Sequence, residues 1–163
     1  MARHKLQKTN AMRELDRSRI SYETHEYEVD ESDLSGVHVA AQLGQDPARV
    51  FKTLVTTAPS GEGVVCCIPV AAELDLKAAA RAAGAKSLSM LHVRDLLAAT
   101  GYMRGGCSPI GMKKRMLTII DSSCLEFETV MVSGGRRGVQ VELDPHDLVG
   151  YCDARCDQIC LEA

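Results

Sequence analysis

The 163-residue chain is long enough to bury a sizeable core, so neither a metal nor a disulfide is needed for folding, and one domain spanning residues 1–163 is expected. Hydrophobic residues make up 45% and charged residues 25%, ordinary for a soluble globule, and the formal net charge of −3 argues against a protein that coats nucleic acid indiscriminately. No apolar run approaches the roughly 20 residues of a membrane span, and the opening segment from Met1 to Met12 lacks the apolar core of a secretory signal, so a cytoplasmic location without membrane contact is expected.

Thr9 and Asn10 are candidate N-caps for a helix from Ala11 to about Ser18, with Met12 and Leu15 turned inward. Ser21 to Val29, rich in Tyr and Thr, reads as a strand. Val37 to Leu43 reads as a short helix stopped by Gly44, after which Asp46-Pro47 resembles a cap and first-turn pair. Val50 to Thr57 and Val64 to Val70 are expected to form two strands joined by the loop "APSGEG". Asp75 caps an alanine-rich helix from Leu76 to about Ala83, closed by Gly84. A short strand at Ser87 to Met90 and a helix from His92 to Thr100 follow, with Gly101 as the stop. Leu117 to Asp121, Thr129 to Ser133 and Val139 to Leu143 read as strands, the last two joined by the turn "SGGRRG". On the last strand Val139, Val141 and Leu143 share one face, while Gln140 and Glu142 share the other. Asp144-Pro145 opens a C-terminal helical region. Strands and helices mix without strict alternation, which predicts an α+β fold with a mixed, curved sheet.

Charge is segregated. Glu23, Glu26, Glu28, Asp30, Glu31 and Asp33 fall close together, whereas cations gather from Arg3 to Lys8, from Lys113 to Arg115, and at Arg136 and Arg137. Such segregation can orient a polyanion, although charge runs are commonly just solvated faces. The seven cysteines, an odd number without a regular framework, read as thiols. Cys152, Cys156 and Cys160 step by four, which would stack them on one helical face as small core residues. Paired ligand spacings are absent and Cys66-Cys67 alternate across a strand, so no metal is expected.

The stretch "TGYMRGGCSPIGMKKR", Thr100 to Arg115, admits several readings. Gly106 and Gly111 have the spacing of a phosphate-binding loop, but Met112 stands where its lysine must be and Lys113 where its hydroxyl must be. No dinucleotide fingerprint follows a strand either. Cys107 or Ser108 could attack an acyl carbon if a base activated it, yet none of the five histidines sits in a recognisable partner motif. Two adjacent glycines followed by Cys-Ser-Pro could instead present main-chain N–H groups to an oxyanion, or form only a helix-stopping turn. Lys52, in mid-strand between Phe51 and Thr53, either lines a cleft or protects an edge strand from aggregation.

Taken together, "FKTLV" (Phe51 to Val55), "LDLKAAARAAGAK" (Leu74 to Lys86), the glycine-rich stretch and "VSGGRRG" (Val132 to Gly138) closely resemble the YbaK type of aminoacyl-tRNA deacylase, in the superfamily of prolyl-tRNA synthetase editing domains. The likeness runs from about Thr9 to about Leu148. It implies a barrel-like mixed sheet flanked by helices, and a freestanding enzyme that hydrolyses mischarged Cys-tRNA(Pro). It implies no metal, no cofactor and no nucleophilic triad. Ala-tRNA(Pro), which relatives of the YbaK type deacylate, is the alternative substrate. A non-catalytic module binding aminoacyl-tRNA or a synthetase is the alternative function. Prolyl-tRNA synthetase is the candidate protein partner. Carried over, the essential strand lysine falls on Lys52, followed by Thr53. The glycine-rich substrate loop falls on Gly105, Gly106, Ser108, Pro109 and Gly111, with Cys107 at a position that relatives fill variously. A pocket aromatic falls on Tyr27 and a loop glycine on Gly36, while Ser35 stands where relatives carry an aromatic. The main-chain N–H groups from Gly105 to Ser108 are expected to hold the developing oxyanion, Lys52 to position the terminal ribose or phosphate, and Lys113, Lys114 and Arg115 to touch tRNA.

Overall fold

The computed structural model describes residues 7–162. The cations from Arg3 to Lys5, and most of the opening segment read for a signal, lie outside the described residues. Five α-helices and eight strands follow one another as α1 (Asn10–Arg17), β1 (Glu23–Glu26), α2 (Gly36–Gln42), β2 (Phe51–Thr57), β3 (Gly63–Pro69), α3 (Leu76–Ala83), β4 (Ser89–Met90), α4 (Val93–Thr100), β5 (Leu117–Asp121), β6 (Val130–Ser133), β7 (Val139–Leu143), α5 (Pro145–Cys152) and β8 (Arg155–Asp157). Two short 3₁₀ turns, Pro47–Arg49 and Ser122–Glu126, complete the chain. No helix among the described residues is long and apolar enough to cross a membrane.

Local chemistry sets the helix ends. The Thr9 hydroxyl accepts from the Met12 N–H at 3.1 Å and donates to the Gly134 carbonyl at 2.5 Å, so it starts α1 and fastens it to the β6–β7 turn. Asp75 accepts from the N–H groups of Lys77 and Ala78, and Gly84 ends α3 in the left-handed region at φ 72°.

The strands form two sheets. One is antiparallel, ordered β1-β7-β6, and the other is mixed, ordered β4-β2-β3-β5-β8, with β3, β5 and β8 parallel. A lone bridge between Val50 and Met131 joins them. The fold is therefore mixed α+β, as expected, and the barrel-like curvature takes the form of two sheets leaning together, not a closed barrel. Between them lies the main core, where Ala11, Met12 and Leu15 of α1 meet Val130, Val132, Val139 and Val141 of the first sheet and Val65, Cys67 and Ile120 of the second. Met12 and Leu15 are essentially fully buried, each worth about 1.5–3 kcal/mol in transfer free energy. The other face of the second sheet packs on Ala79 and Ala80 of α3.

The C-terminal segment departs from expectation. Asp153 takes φ 49°, the Ala154 N–H closes onto the Val149 carbonyl, and the helix stops at Cys152. The chain then turns into β8, where Cys156 lies beside Ile120 and Cys160 faces Leu74 in an isolated bridge. The three cysteines thus share no helical face. A neighbouring strand with unpaired backbone groups overrides the four-residue step.

One ion pair ties the two sheets. Arg49, just ahead of β2, reaches Glu142 on β7 at 2.7 Å, and the same carboxylate accepts from Thr129 and pairs with His25 at 2.8 Å. The bond from Thr129, with Arg49 and His25 adding to it, pulls the Glu142 carboxyl down to about 2. A folded-state value below the unfolded 4.5 means that this stabilisation is complete above pH 4.5 and is lost as pH falls through about 2. Glu142→Gln is expected to cost about 1–3 kcal/mol at pH 7 in urea unfolding. Its deficit against the parent should shrink below pH 4.5, and a deficit that stays constant down to pH 2 would contradict the ion pair.

Candidate active site

The second face of the β1-β7-β6 sheet, which carries Ser133 and Gln140, forms the floor of a cleft of about 540 Å³. Tyr27 and the segment from Ser32 to Gly36 make one wall. The outer edge of β2 makes the second, and Arg104, Gly105 and Cys107 the third, with Met90, Leu91, Val93 and Leu96 at the rim.

The β2 edge is open where it matters. β4 pairs only with Thr56 and Thr57, and the Leu91 N–H takes the Val55 carbonyl at 3.0 Å. The Val50 carbonyl, by contrast, points the other way to the Val70 N–H. Alternation therefore aims the N–H and C=O of Thr53 outward, toward the cleft. Lys52 lines the same cleft, is half-buried, and has no ion pair among the described residues. Its charge also reaches the Cys160 thiol, which burial raises to about 12 and Lys52 slightly lowers.

The glycine-rich loop is held by the β6–β7 turn. Gly105 sits at φ 86°, and a Cβ built on Gly106 would lie 2.9 Å from the Cα and carbonyl carbon of Arg136 and the nitrogen of Arg137. Only glycine permits that approach. The Arg137 Nε–H donates to the Arg104 carbonyl at 2.8 Å, fastening turn to loop. The Gly106 N–H closes a turn onto the Met103 carbonyl at 2.9 Å, so it is not a free donor as the sequence suggested. The N–H groups of Gly105, Cys107 and Ser108 have no hydrogen-bond partner among the described residues.

Not all the expected residues meet. Lys52, Thr53, Tyr27, Gly36, Gly105 and Cys107 line the cleft. Ser108 is fully buried behind it, where its hydroxyl accepts from the Ile110 N–H, and the Pro109 carbonyl faces the Cys152 thiol at 3.6 Å. Gly111, at φ 72°, makes room for Tyr102 and Asn10 and lines a separate cavity with Lys114 and Arg115. Lys113 lines neither space.

Two polar groups in the floor escaped sequence reasoning. Gln140 is 7% exposed and its Oε1 has no hydrogen-bond partner among the described residues. A buried amide oxygen without a donor is costly, and a ligand N–H would satisfy it. Ser133 beside it accepts from the Gly135 N–H through its Oγ, leaving the hydroxyl proton free. The strand alternation had set Gln140 apart from the core face, but not which surface it met. Burial raises the Cys107 thiol to about 11, and none of the described histidines lines the cleft, so no thiolate–imidazole pair forms there. Glu23, His25 and Glu142 bring ligand atoms within 4.8 Å of one another outside the cleft, but Glu142 is already taken by Arg49 and Thr129.

On a mixed α+β fold, the cleft thus brings together residues with unpaired main-chain N–H groups, Lys52 and the unsatisfied Gln140 amide oxygen. Residues 35–151 match the aminoacyl-tRNA editing domain, and the chain belongs to that family. It is 44% identical over 160 residues, 98% of both chains, to an Enterococcus faecalis protein assigned as a Cys-tRNA(Pro)/Cys-tRNA(Cys) deacylase, EbsC. It also shares its fold with a solved structure assigned to a trans-editing enzyme for prolyl-tRNA synthetase (TM-score 0.80, 20% identity, covering 96% of this chain and 100% of that one). The crystal structure of a hypothetical protein is also similar in fold (TM-score 0.85, 20% identity, covering 94% and 100%).

Gly106→Ala is expected to lower stability by about 1–3 kcal/mol, because main-chain atoms must move apart. Gly44→Ala, where a Cβ meets nothing within 4 Å, should cost no more than its positive φ demands. Equal denaturation midpoints for the two variants would show that the loop–turn contact is slack.

Proposed function

We propose that this chain hydrolyses Cys-tRNA(Pro) in trans, releasing free tRNA(Pro), and that the cleft between β2 and the glycine-rich loop is where it does so. The observation that carries this reading is that Gly105 and Cys107, whose N–H groups have no partner among the described residues, line a cleft that also holds Lys52. An aminoacyl ester is already activated, so its cleavage needs orientation and charge stabilisation more than a strong nucleophile. The substrate's own thiol attacks its carbonyl carbon. A carbon–sulfur bond forms, the ester carbon–oxygen bond breaks, and the thiol proton ends on the ribose hydroxyl. Water then opens the cyclic thioester to cysteine. The N–H groups of Gly105 and Cys107 receive the developing oxyanion, while Ser108, buried behind the cleft, braces the loop by accepting from the Ile110 N–H. Lys52 holds the terminal ribose or phosphate, and the orphaned Gln140 Oε1 accepts from the substrate's α-ammonium. Prolyl-tRNA synthetase is the partner that would supply tRNA identity. No cofactor enters the scheme.

A site that selects by apolar packing gains only ~1–3 kcal/mol per methylene, which explains why a synthetase for proline admits cysteine and why a second site is needed. Ala-tRNA(Pro) has no thiol for the cyclisation step, and so ranks second. Turnover of tRNA(Pro) charged in turn with cysteine, alanine or proline tests the assignment. Release of cysteine alone supports it, whereas binding without release of any amino acid points to a non-catalytic module.

Lys52→Ala should reduce Cys-tRNA(Pro) turnover by at least about 10²-fold while circular dichroism and the unfolding midpoint stay near the parent's. A folded variant with full turnover would remove Lys52 from the mechanism. Cys107→Ala should retain most activity, since the buried neutral thiol contributes wall rather than chemistry; a folded but inactive Cys107→Ala would make the thiol a nucleophile after all.

A further inference from the structure

Away from the cleft, a groove of about 680 Å³ opens at the far end of the β2–β3 hairpin. Lys86, just past α3, lines it with Lys114 and Arg115 from the glycine-rich loop's descending limb. Glu62 is the one carboxylate among its lining residues. All three cations are exposed, and none has an ion pair among the described residues, unlike Arg49, Lys8 and Arg137. Lys86 is not needed to cap α3. The Ala80 and Arg81 carbonyls are taken by the N–H groups of Ala85 and Gly84, and the Ala82 carbonyl by Arg155 at 2.8 Å. Three uncompensated cations around one groove, on a chain with net charge −3, form a local attraction for an anionic strand against an otherwise repelling surface.

The groove and the cleft flank the same strand. Thr53 lines the cleft and Ala58 the groove, five residues along the chain, or roughly 17 Å of extended backbone at about 3.3 Å per residue. Met90, paired with Thr56, lies between them at the cleft rim. An unpaired RNA end a few nucleotides long spans such a distance, so a strand whose terminal ribose is in the cleft brings its next duplex phosphates over the groove.

We propose that Lys86, Lys114 and Arg115 form one phosphate-binding track that positions the RNA backbone next to the unpaired 3′ end, with Lys86 as a member that its distance in sequence had hidden. The proposal rests on the deacylase reading above and deepens it. Its occupant is an RNA backbone, chosen over an acidic protein segment because the groove adjoins the cleft along β2 and gathers three cations that have no ion pair among the described residues.

The test compares the parent with Lys86→Gln and with the Lys86→Gln/Lys114→Gln/Arg115→Gln variant, on Cys-tRNA(Pro) and on cysteinyl-adenosine, an ester too short to reach the groove. KM for the tRNA should rise several-fold in Lys86→Gln and at least about tenfold in the triple variant. The slope of log KM against log salt should flatten by roughly 0.7–0.9 per cation removed. An unchanged slope overturns the track, as does an equal loss on tRNA and on the short ester, which would mean that the cleft itself was disturbed. Tighter binding of an acidic peptide than of RNA at the groove also overturns it. If the parent turns over neither ester, the failure lies with the deacylase reading. In that case the salt slope of tRNA binding alone still decides whether the groove holds RNA.

Discussion

Two main chains meeting without side chains between them organise this molecule. Gly106 lies so close to Arg136 and Arg137 that a methyl group would overlap backbone, and Arg137 bonds back to the Arg104 carbonyl. The contact locks the glycine-rich loop to the hairpin whose strands carry Ser133 and Gln140. Floor and wall of the cleft are thereby joined, and Gly105 and Cys107, whose N–H groups have no partner among the described residues, are held at its edge. In general, donors set in advance lose nothing to reorganisation when charge develops in front of them.

The second wall depends on electrostatics. Arg49 stands two residues ahead of β2, and its pairing with Glu142 fixes the start of that strand against β7, two residues from Gln140. Lys52 and the outward-facing Thr53 backbone inherit their place from this pair. A partly buried pair held also by Thr129 and His25 is worth more than an exposed one, since the carboxylate's remaining lone pairs are satisfied. Arg137 also meets Glu31 at 3.4 Å, joining the acidic β1–α2 segment to the basic turn. That pair is exposed on the glutamate side and correspondingly weak.

Burial explains the quiet thiols. Cys66, Cys107, Cys124, Cys152 and Cys160 are all raised above their ordinary range chiefly by desolvation, so they stay protonated and behave as small apolar groups. Of these, only Cys107 lines the cleft, and it presents a protonated thiol there.

Local signals were readable directly in the chain. Thr9, Asp75, Asp144 and Gly84 set helix ends where their side chains or positive φ predicted, and the alternation of Val139 through Leu143 marked its buried face, because caps and two-residue periods act within a few neighbours. The four-residue step of Cys152, Cys156 and Cys160 misled for the same reason, since the parallel partner that draws Cys156 into β8 is Ile120, more than thirty residues away. The sequence by itself determined the mixed α+β character, the glycine-rich loop and the family likeness. Only the tertiary structure decided that Gly106 is a contact point and not a donor, that Gln140 lines a cleft with an unsatisfied oxygen, and that Lys86 lines the same groove as Lys114. Each of those facts depends on closing long loops against a packed core, and no spacing within one segment encodes where such a loop comes to rest.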